Sequence, residues 1–233
     1  MKRISFTILS LVLLMTAAFN ASAQGQSRAV SGFTTVAASG PFHLHIKING
    51  TESVKVDVDA ELMNEVETIV ENGTLKIKFK DHENRQHDLH KADIYVTAKS
   101  LSGLINSGSG EMNLEEGTVT GESIKIILSG SGNISSAIKS ERLETVISGS
   151  GSITLNGSTN EASIVVTGSG EVNGKDLKTQ SLAATVTGSG NINVSADKSV
   201  KAHITGSGNV VYSGNASIIS SSHTGSGRVS KAD

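Results

Sequence analysis

Cysteine is absent from the chain. Disulfides, thiolate metal sites, iron–sulfur clusters, cysteine nucleophiles and Cys-linked lipid anchors are therefore excluded. Tryptophan is absent as well, aromatics make up 3% of the residues, and Pro41 is the single proline. A chain so poor in aromatic residues does not build the bulky core of an ordinary enzyme domain, and has to fill its interior with small and β-branched side chains. No sign of charge dominates: 20 Lys+Arg stand against 22 Asp+Glu in 233 residues, a net of −2. That balance speaks against a nucleic-acid binder and against a basic membrane-surface protein. After the first two dozen residues no stretch is long or apolar enough to span a membrane.

Those first residues have a pattern of their own. Met1-Lys2-Arg3 is a short positive start, Ile4 to Phe19 is mostly apolar, and Ala21-Ser22-Ala23 precedes Gln24. A charged start, an apolar run shorter than the roughly 20 residues of a spanning helix, and an A-x-A site together read as a secretory signal peptide over 1–23. Cleavage there removes Lys2 and Arg3, leaving 18 bases against 22 acids. The expected location is exported: periplasmic, outer cell envelope or secreted, with no transmembrane segment after cleavage.

Glycine is plentiful, at 25 residues, and it is ordered. Gly-Ser-Gly occurs seven times, starting at Gly108, Gly130, Gly149, Gly168, Gly188, Gly206 and Gly225, at intervals of 18 to 22 residues. A fixed period near 20 is the mark of a solenoid whose repeats stack on one another. Within a repeat the apolar period is two: Leu143, Thr145, Ile147, Gly149, Gly151, Ile153 and Leu155 share one parity, and Ser148, Ser150 and Ser152 the other. Period two is the strand period, so the fold expected is all-β, a single-stranded parallel β-helix with coils of about 19–20 residues. The two glycines of each tripeptide share parity with the inward residues. Either two walls approach too closely for a side chain, or the chain bends and needs φ > 0. The bend is the preferred reading, because an extended Gly-Ser-Gly loses burial without gain. The serines are expected to form outward hydroxyl ladders bonded from coil to coil.

Residues 24–100 lack the tripeptide but alternate as clearly, as in Phe42, Leu44, Ile46 and Ile48 against His43, His45 and Lys47. Asn72-Gly73 between two alternating runs predicts a hairpin, and Ala60–Asn64 a single helical turn. Lys80–Lys91 reads as a charged loop. No linker separates the halves. One continuous domain over 24–233 is expected, in which 24–100 starts and caps the repeat solenoid of 101–233.

Gly130-Ser131-Gly132-Asn133-Ile134, Gly188-Ser189-Gly190-Asn191-Ile192 and Gly206-Ser207-Gly208-Asn209-Val210 resemble the repeating motif of the head GIN domain of autotransporter adhesins, a family of exported Bacteroidetes-type proteins. Ser31-Gly32-Phe33, Ser39-Gly40-Pro41-Phe42 and Asn72-Gly73-Thr74-Leu75-Lys76-Ile77 resemble its N-terminal pattern, so the resemblance covers residues 28–229. It implies a β-helix-like fold and an exported location, and little about activity. The stretch after the last repeat leaves no room for the membrane barrel of an autotransporter, so that part is not expected to carry over.

The sequence holds little catalytic pattern. No tripeptide leads into a phosphate loop's Lys-Ser/Thr, no Asp lies between Asp93 and Asp176 to make a calcium β-roll, and no Gly-x-Ser-x-Gly elbow occurs. His203 and His223, aligned with the apolar Ile147 and Val166 of other coils, are expected to be partly buried. His82, His87 and His90 with Asp81, Glu83 and Asp88 are read as a solvated loop, and His43 and His45 as a weak chelating pair at most. Glu111, Glu115, Glu116, Glu122 and Glu171 are the carboxylates available for glycoside hydrolysis. The expectation is no catalytic residue, no cofactor and no metal, in a non-enzymatic binding or structural protein of the cell envelope. The alternatives are a β-helix carbohydrate-active enzyme and a solenoid that polymerises end to end. A ligand stripe is expected over Ser131, Asn133, Ser150, Ser152, Ser169, Glu171, Ser189 and Asn191, facing a glycan or an envelope protein.

Overall fold

The computed structural model describes residues 25–80 and 91–232; the signal segment and the cluster of His82, His87 and His90 lie outside that range. Strands and turns account for the described residues, with no helix among them. The first strands are β1 (Gln26–Arg28), β2 (Thr35–Ser39), β3 (His43–Ile48), β4 (Ser53–Val58), β5 (Val66–Glu71), β6 (Thr74–Phe79) and β7 (Ala92–Ala98). Then come β8 (Gly103–Asn106), β9 (Glu111–Glu116) and five long strands: β10 (Val119–Gly130), β11 (Asn133–Gly149), β12 (Ser152–Gly168), β13 (Glu171–Gly188) and β14 (Asn191–Gly206). The chain closes with β15 (Asn209–Ser213), β16 (Ser217–Thr224) and β17 (Arg228–Lys231).

From β8 onward each coil lies parallel on the one before it. Gly130, Gly149, Gly168, Gly188 and Gly206 stand in register from strand to strand. The protein is therefore a β-solenoid. Residues leading into a tripeptide form one wall of the stack, the leading wall, and those following it the trailing wall. Side chains of one parity meet inside. Leu128, Ile147, Val166, Val186 and Ile204 form one inner row of the leading wall, and Ile134, Ile153, Val172, Ile192 and Val210 one of the trailing wall, all essentially inaccessible to solvent. Small and β-branched residues suffice because every row is closed above and below by its own kind.

Both glycine readings hold: the first glycine combines the bend with a close approach to the coil below, and the second rests on the close approach alone. Gly149 has φ 129°, which only glycine adopts readily, and turns the chain between the walls. Gly151 carries no positive φ, but a Cβ there would run into the carbonyl oxygen of Gly132 in the coil below. The serines between them are held by the backbone: the N–H of Ser150 donates to Gly130 O (3.0 Å) and that of Ser169 to Gly149 O (3.0 Å). Hydroxyl-to-hydroxyl bonds form elsewhere, where Ser140 donates to Thr159 (2.9 Å) and Ser199 to Ser181 (3.1 Å). These are single pairs in two different rows, and the outward hydroxyl ladders expected at the tripeptide are replaced there by backbone bonds.

The first half is woven differently from a simple succession. β2 and β3 form a coil, yet β2 lies between β6 and β8, and β3 between β7 and β9. The coil made later in sequence, by β6 and β7, thus lies farther out. β4 pairs antiparallel with β7, β1 with β4, and β5 with β6. The β5–β6 hairpin turns at Asn72-Gly73, both at positive φ (50° and 74°), as the sequence predicts. Ala60–Asn64 makes turns only. Phe42 occupies the place of the second glycine in its coil, and its buried ring packs on Phe79 at 4.7 Å.

His203 and His223 depart from expectation, since both are exposed. His203 pairs with Thr185 and so belongs to an outward row, one residue away from the position of Ile147; its Nδ1 lies 2.6 Å from Ser222 Oγ. His223 does continue the inner row of Ile204, but on β16, whose outer side no described strand covers.

Candidate functional site

The outer surface of the trailing wall is the most ordered polar surface of the molecule. Asn133, Ser152, Glu171 and Asn191 stand side by side on successive strands, because the parallel register aligns equivalent positions. Asn209 extends this row, and its Nδ2 donates to Asn191 Oδ1 (3.2 Å). In the other direction the row continues through Glu111 and His43 to Asp93. Ser131, Ser150, Ser169 and Ser189 lie exposed along the adjoining corner. The eight expected stripe residues are thus brought together on one continuous surface. Two residues along each strand, Asn113, Ser135, Thr154, Asn173 and Asn193 make a second polar row that the sequence reading left out. Its signal was present, in that each lies two residues after a member of the first row.

This second row begins with His45 and Tyr95. The rings stack with centroids 4.8 Å apart, and Lys55 Nζ lies 6.0 Å from the Tyr95 centroid. His45 Nδ1 faces Glu115 Oε1 at 2.6 Å and Nε2 faces Asp93 Oδ1 at 3.2 Å. Two carboxylate acceptors call for a proton on each ring nitrogen. Burial pushes the imidazole pKa down, but the hydrogen bonds to Glu115 and Asp93, with their charges, outweigh it and hold the pKa above the ordinary 6.5. With both nitrogens engaged, His45 is not placed to chelate. No group of three or more His, Asp or Glu suited to a metal occurs among the described residues.

The carboxylates offered for glycoside hydrolysis mostly lie beside basic side chains on open surface. Glu111 lies 3.8 Å from His43, Glu115 contacts His45 and Lys47, and Glu122 accepts from Arg142 at 2.5 Å. Glu171 sits in the row between Ser152 and Asn191. Elsewhere, a groove of about 550 Å³ runs along the stack. Arg142, Glu161, Ser163, Ala183 and Lys201 form its accessible sides over a floor of the buried Leu143, Ala162 and Leu182, and Ile219 stands at its C-terminal end.

Among curated proteins, none matches the sequence. Solved structures do. A "putative adhesin" from Bacteroides fragilis has a TM-score of 0.84 at 22% identity, over 89% of this chain and 96% of its own. A "putative lipid binding protein" from Parabacteroides distasonis has 0.74 at 26%, over 90% and 96%. A "putative adhesin" from Parabacteroides merdae has 0.70 at 21%, over 90% and 96%. At these identities the two adhesin likenesses speak for the fold alone. The family model described as "Putative auto-transporter adhesin, head GIN domain" matches residues 32–216. That span takes in the woven first coils as well as the stacked repeats, and the chain belongs to the head GIN domain family.

Proposed function

We propose that this is an exported, non-enzymatic, adhesin-like binding module of the cell envelope, which holds an extended glycan or a similarly repetitive polymer along its trailing wall. The observation that carries the reading is the registered row Asn133–Ser152–Glu171–Asn191–Asn209, flanked by the exposed serines. Amide, hydroxyl and carboxylate groups repeat there at the strand spacing of ~4.8 Å. Each contact is weak, and a polymer that meets several at once gains by multivalency. The one aromatic at the end of the wall, Tyr95, has His45 on its ring, so sugar stacking contributes little and affinity per residue is low. Membership of an adhesin family and the signal-like start support export and binding.

The test is a glycan array and an envelope-extract pull-down with the exported protein and with a variant carrying Asn133→Lys, Glu171→Lys and Asn191→Lys. The variant should fold and lose the partner that the parent retains; equal binding would remove the wall as the site. Export has its own check. Mass spectrometry of the protein recovered outside the cytoplasm should find a chain beginning at Gln24, and an intact Met1 in a membrane fraction would contradict it.

A second reading has one observation in its favour. The groove passes the exposed Ala183 and ends at the exposed Ile219, and the similar P. distasonis structure is described as a lipid binder. Under this reading the groove takes an acyl chain. Sedimentation with phospholipid vesicles, with Ala183→Arg on the exposed side of the groove as the control, separates it from the first, because the wall variant would bind vesicles as the parent does.

A further inference from the structure

His45 on β3 reaches both neighbouring strands: Nδ1 faces Glu115 of β9 at 2.6 Å, and Nε2 faces Asp93 of β7 at 3.2 Å. Glu115 is brought there by a bulge. Ile46 and Lys47 of β3 pair with Leu114 and Glu116, and Glu115 is the extra residue between those two. A bulge of this kind re-aims a side chain. The cluster stays within reach of solvent, with His45 27%, Asp93 30% and Glu115 39% exposed. Asp93 is also the head of the outer row that runs through His43 and Glu111 to Asn133.

The other bases around the ring already have partners. On β3 itself, His43 lies 3.8 Å from Glu111, and Lys47 lies 3.7 Å from Glu115 and opposite Glu116. Lys91, just before β7, contacts Asp57 of β4 at 2.8 Å and feels Asp93 only at longer range. Lys55 of β4 lies over the Tyr95 ring, which covers one face of His45. Asp57 stands directly opposite Asp93 on the β4–β7 ladder, a like-charge pair. The contacting counter-charge of Asp93 is therefore the imidazolium of His45. A neutral imidazole keeps one N–H. The shorter contact, to Glu115, holds that proton on Nδ1, and Nε2 then turns a lone pair toward the Asp93 carboxylate. The two repel, and Asp57 adds to the repulsion from the other side.

We propose that His45 is a pH-operated cover over Asp93. As the imidazolium it holds the carboxylate against its ring; as the neutral ring it releases the carboxylate to the head of the outer row, where it accepts hydroxyl groups of a polymer lying on the trailing wall. The cover is a property of the chain alone, whereas its use in regulating binding rests on the wall reading given above. Because the folded His45 titrates above 6.5, the carboxylate is held in mildly acidic surroundings and released as the pH rises through that folded value. Release also leaves the wall one charge more negative, which suits an uncharged, hydroxyl-rich polymer and disfavours an anionic one.

The experiment is heteronuclear NMR of the exported protein from about pH 5 to about pH 9, following the His45 ring nitrogens and the Asp93 carboxyl carbon. Ring and carboxyl should change together at one midpoint above 6.5, with Nε2 the bare nitrogen on the alkaline side. An Asp93 carbon with no inflection at the ring's midpoint overturns the proposal, as does a ring that gives up its Nδ1 proton instead. Asp93→Asn should lower the midpoint; an unmoved one overturns the proposal too. The consequence is read by retention on immobilised envelope polysaccharide at the two ends of the range. Retention of the parent should rise about tenfold with pH, the worth of one charge-assisted hydrogen bond, and that of His45→Gln should stay level. An equal rise in both overturns the regulatory role. A parent retained at neither pH is a failure of the wall reading, and the NMR midpoints then decide the cover by themselves.

Discussion

The hydroxyl of Thr145 lies inside the stack with no hydrogen-bond partner, in the row between Ile126 and Ile164. A buried hydroxyl left unpaired costs about 1–3 kcal/mol, and valine has nearly the same shape without that group. Thr145→Val should raise the denaturant midpoint by the equivalent of about 1 kcal/mol with an unchanged slope; a lower midpoint would show that the hydroxyl is satisfied. His45 makes the opposite case, a charge held by its neighbours. Its pKa is raised in the folded state, so the pairing contributes fully below the ordinary 6.5 and is lost as pH rises through the folded value. NMR titration of the His45 ring should give a midpoint above 6.5 in the parent and a lower one in Glu115→Gln. An identical midpoint in the two would remove Glu115 as the cause. Asp93, 3.2 Å from the other ring nitrogen, keeps part of the shift in that variant.

One element, the coil, is repeated, and its repetition explains why so much of it can be read from sequence. Period-two alternation around each Gly-Ser-Gly puts Leu143, Thr145, Ile147, Ile153 and Leu155 on one face, and the structure buries all five. The tripeptide itself does two jobs, a bend at its first glycine and a close passage at both. Gly151→Ala should therefore destabilise by about 2 kcal/mol, through the clash with the coil below, while Ser150→Ala should cost ~1 kcal/mol or less. Equal shifts of the unfolding midpoint would contradict the division of roles. What alternation does not encode is strand order. Nothing in Thr35–Ser39 says that it lies between Thr74–Phe79 and Gly103–Asn106, because all three segments alternate alike and any neighbour of matching parity satisfies them. For the same reason the stripe was legible and the His45 cluster was not. Stripe members sit at equivalent positions of successive repeats, whereas His45, Asp93 and Glu115 are separated by 48 and 70 residues and meet only through the woven strands. His203 was misplaced by a one-residue shift, which in a strand exchanges inside for outside.

At the scale of the whole molecule, the stack converts a short repeat into a long, evenly spaced surface, and the function proposed depends on that regularity. From Asn133 to Asn209 the row crosses four strand-to-strand steps, ~19 Å at the usual spacing. A compact ligand would meet one or two of these positions; a polymer lying along the stack axis would meet all five. The most direct measurement is the affinity of the exported protein for a size-graded series of oligomers of whatever envelope glycan the array identifies, read by calorimetry. Affinity should climb steeply with each added unit until the oligomer reaches about 19 Å and then level off. An affinity that is the same for the shortest and the longest oligomer would contradict binding along the row.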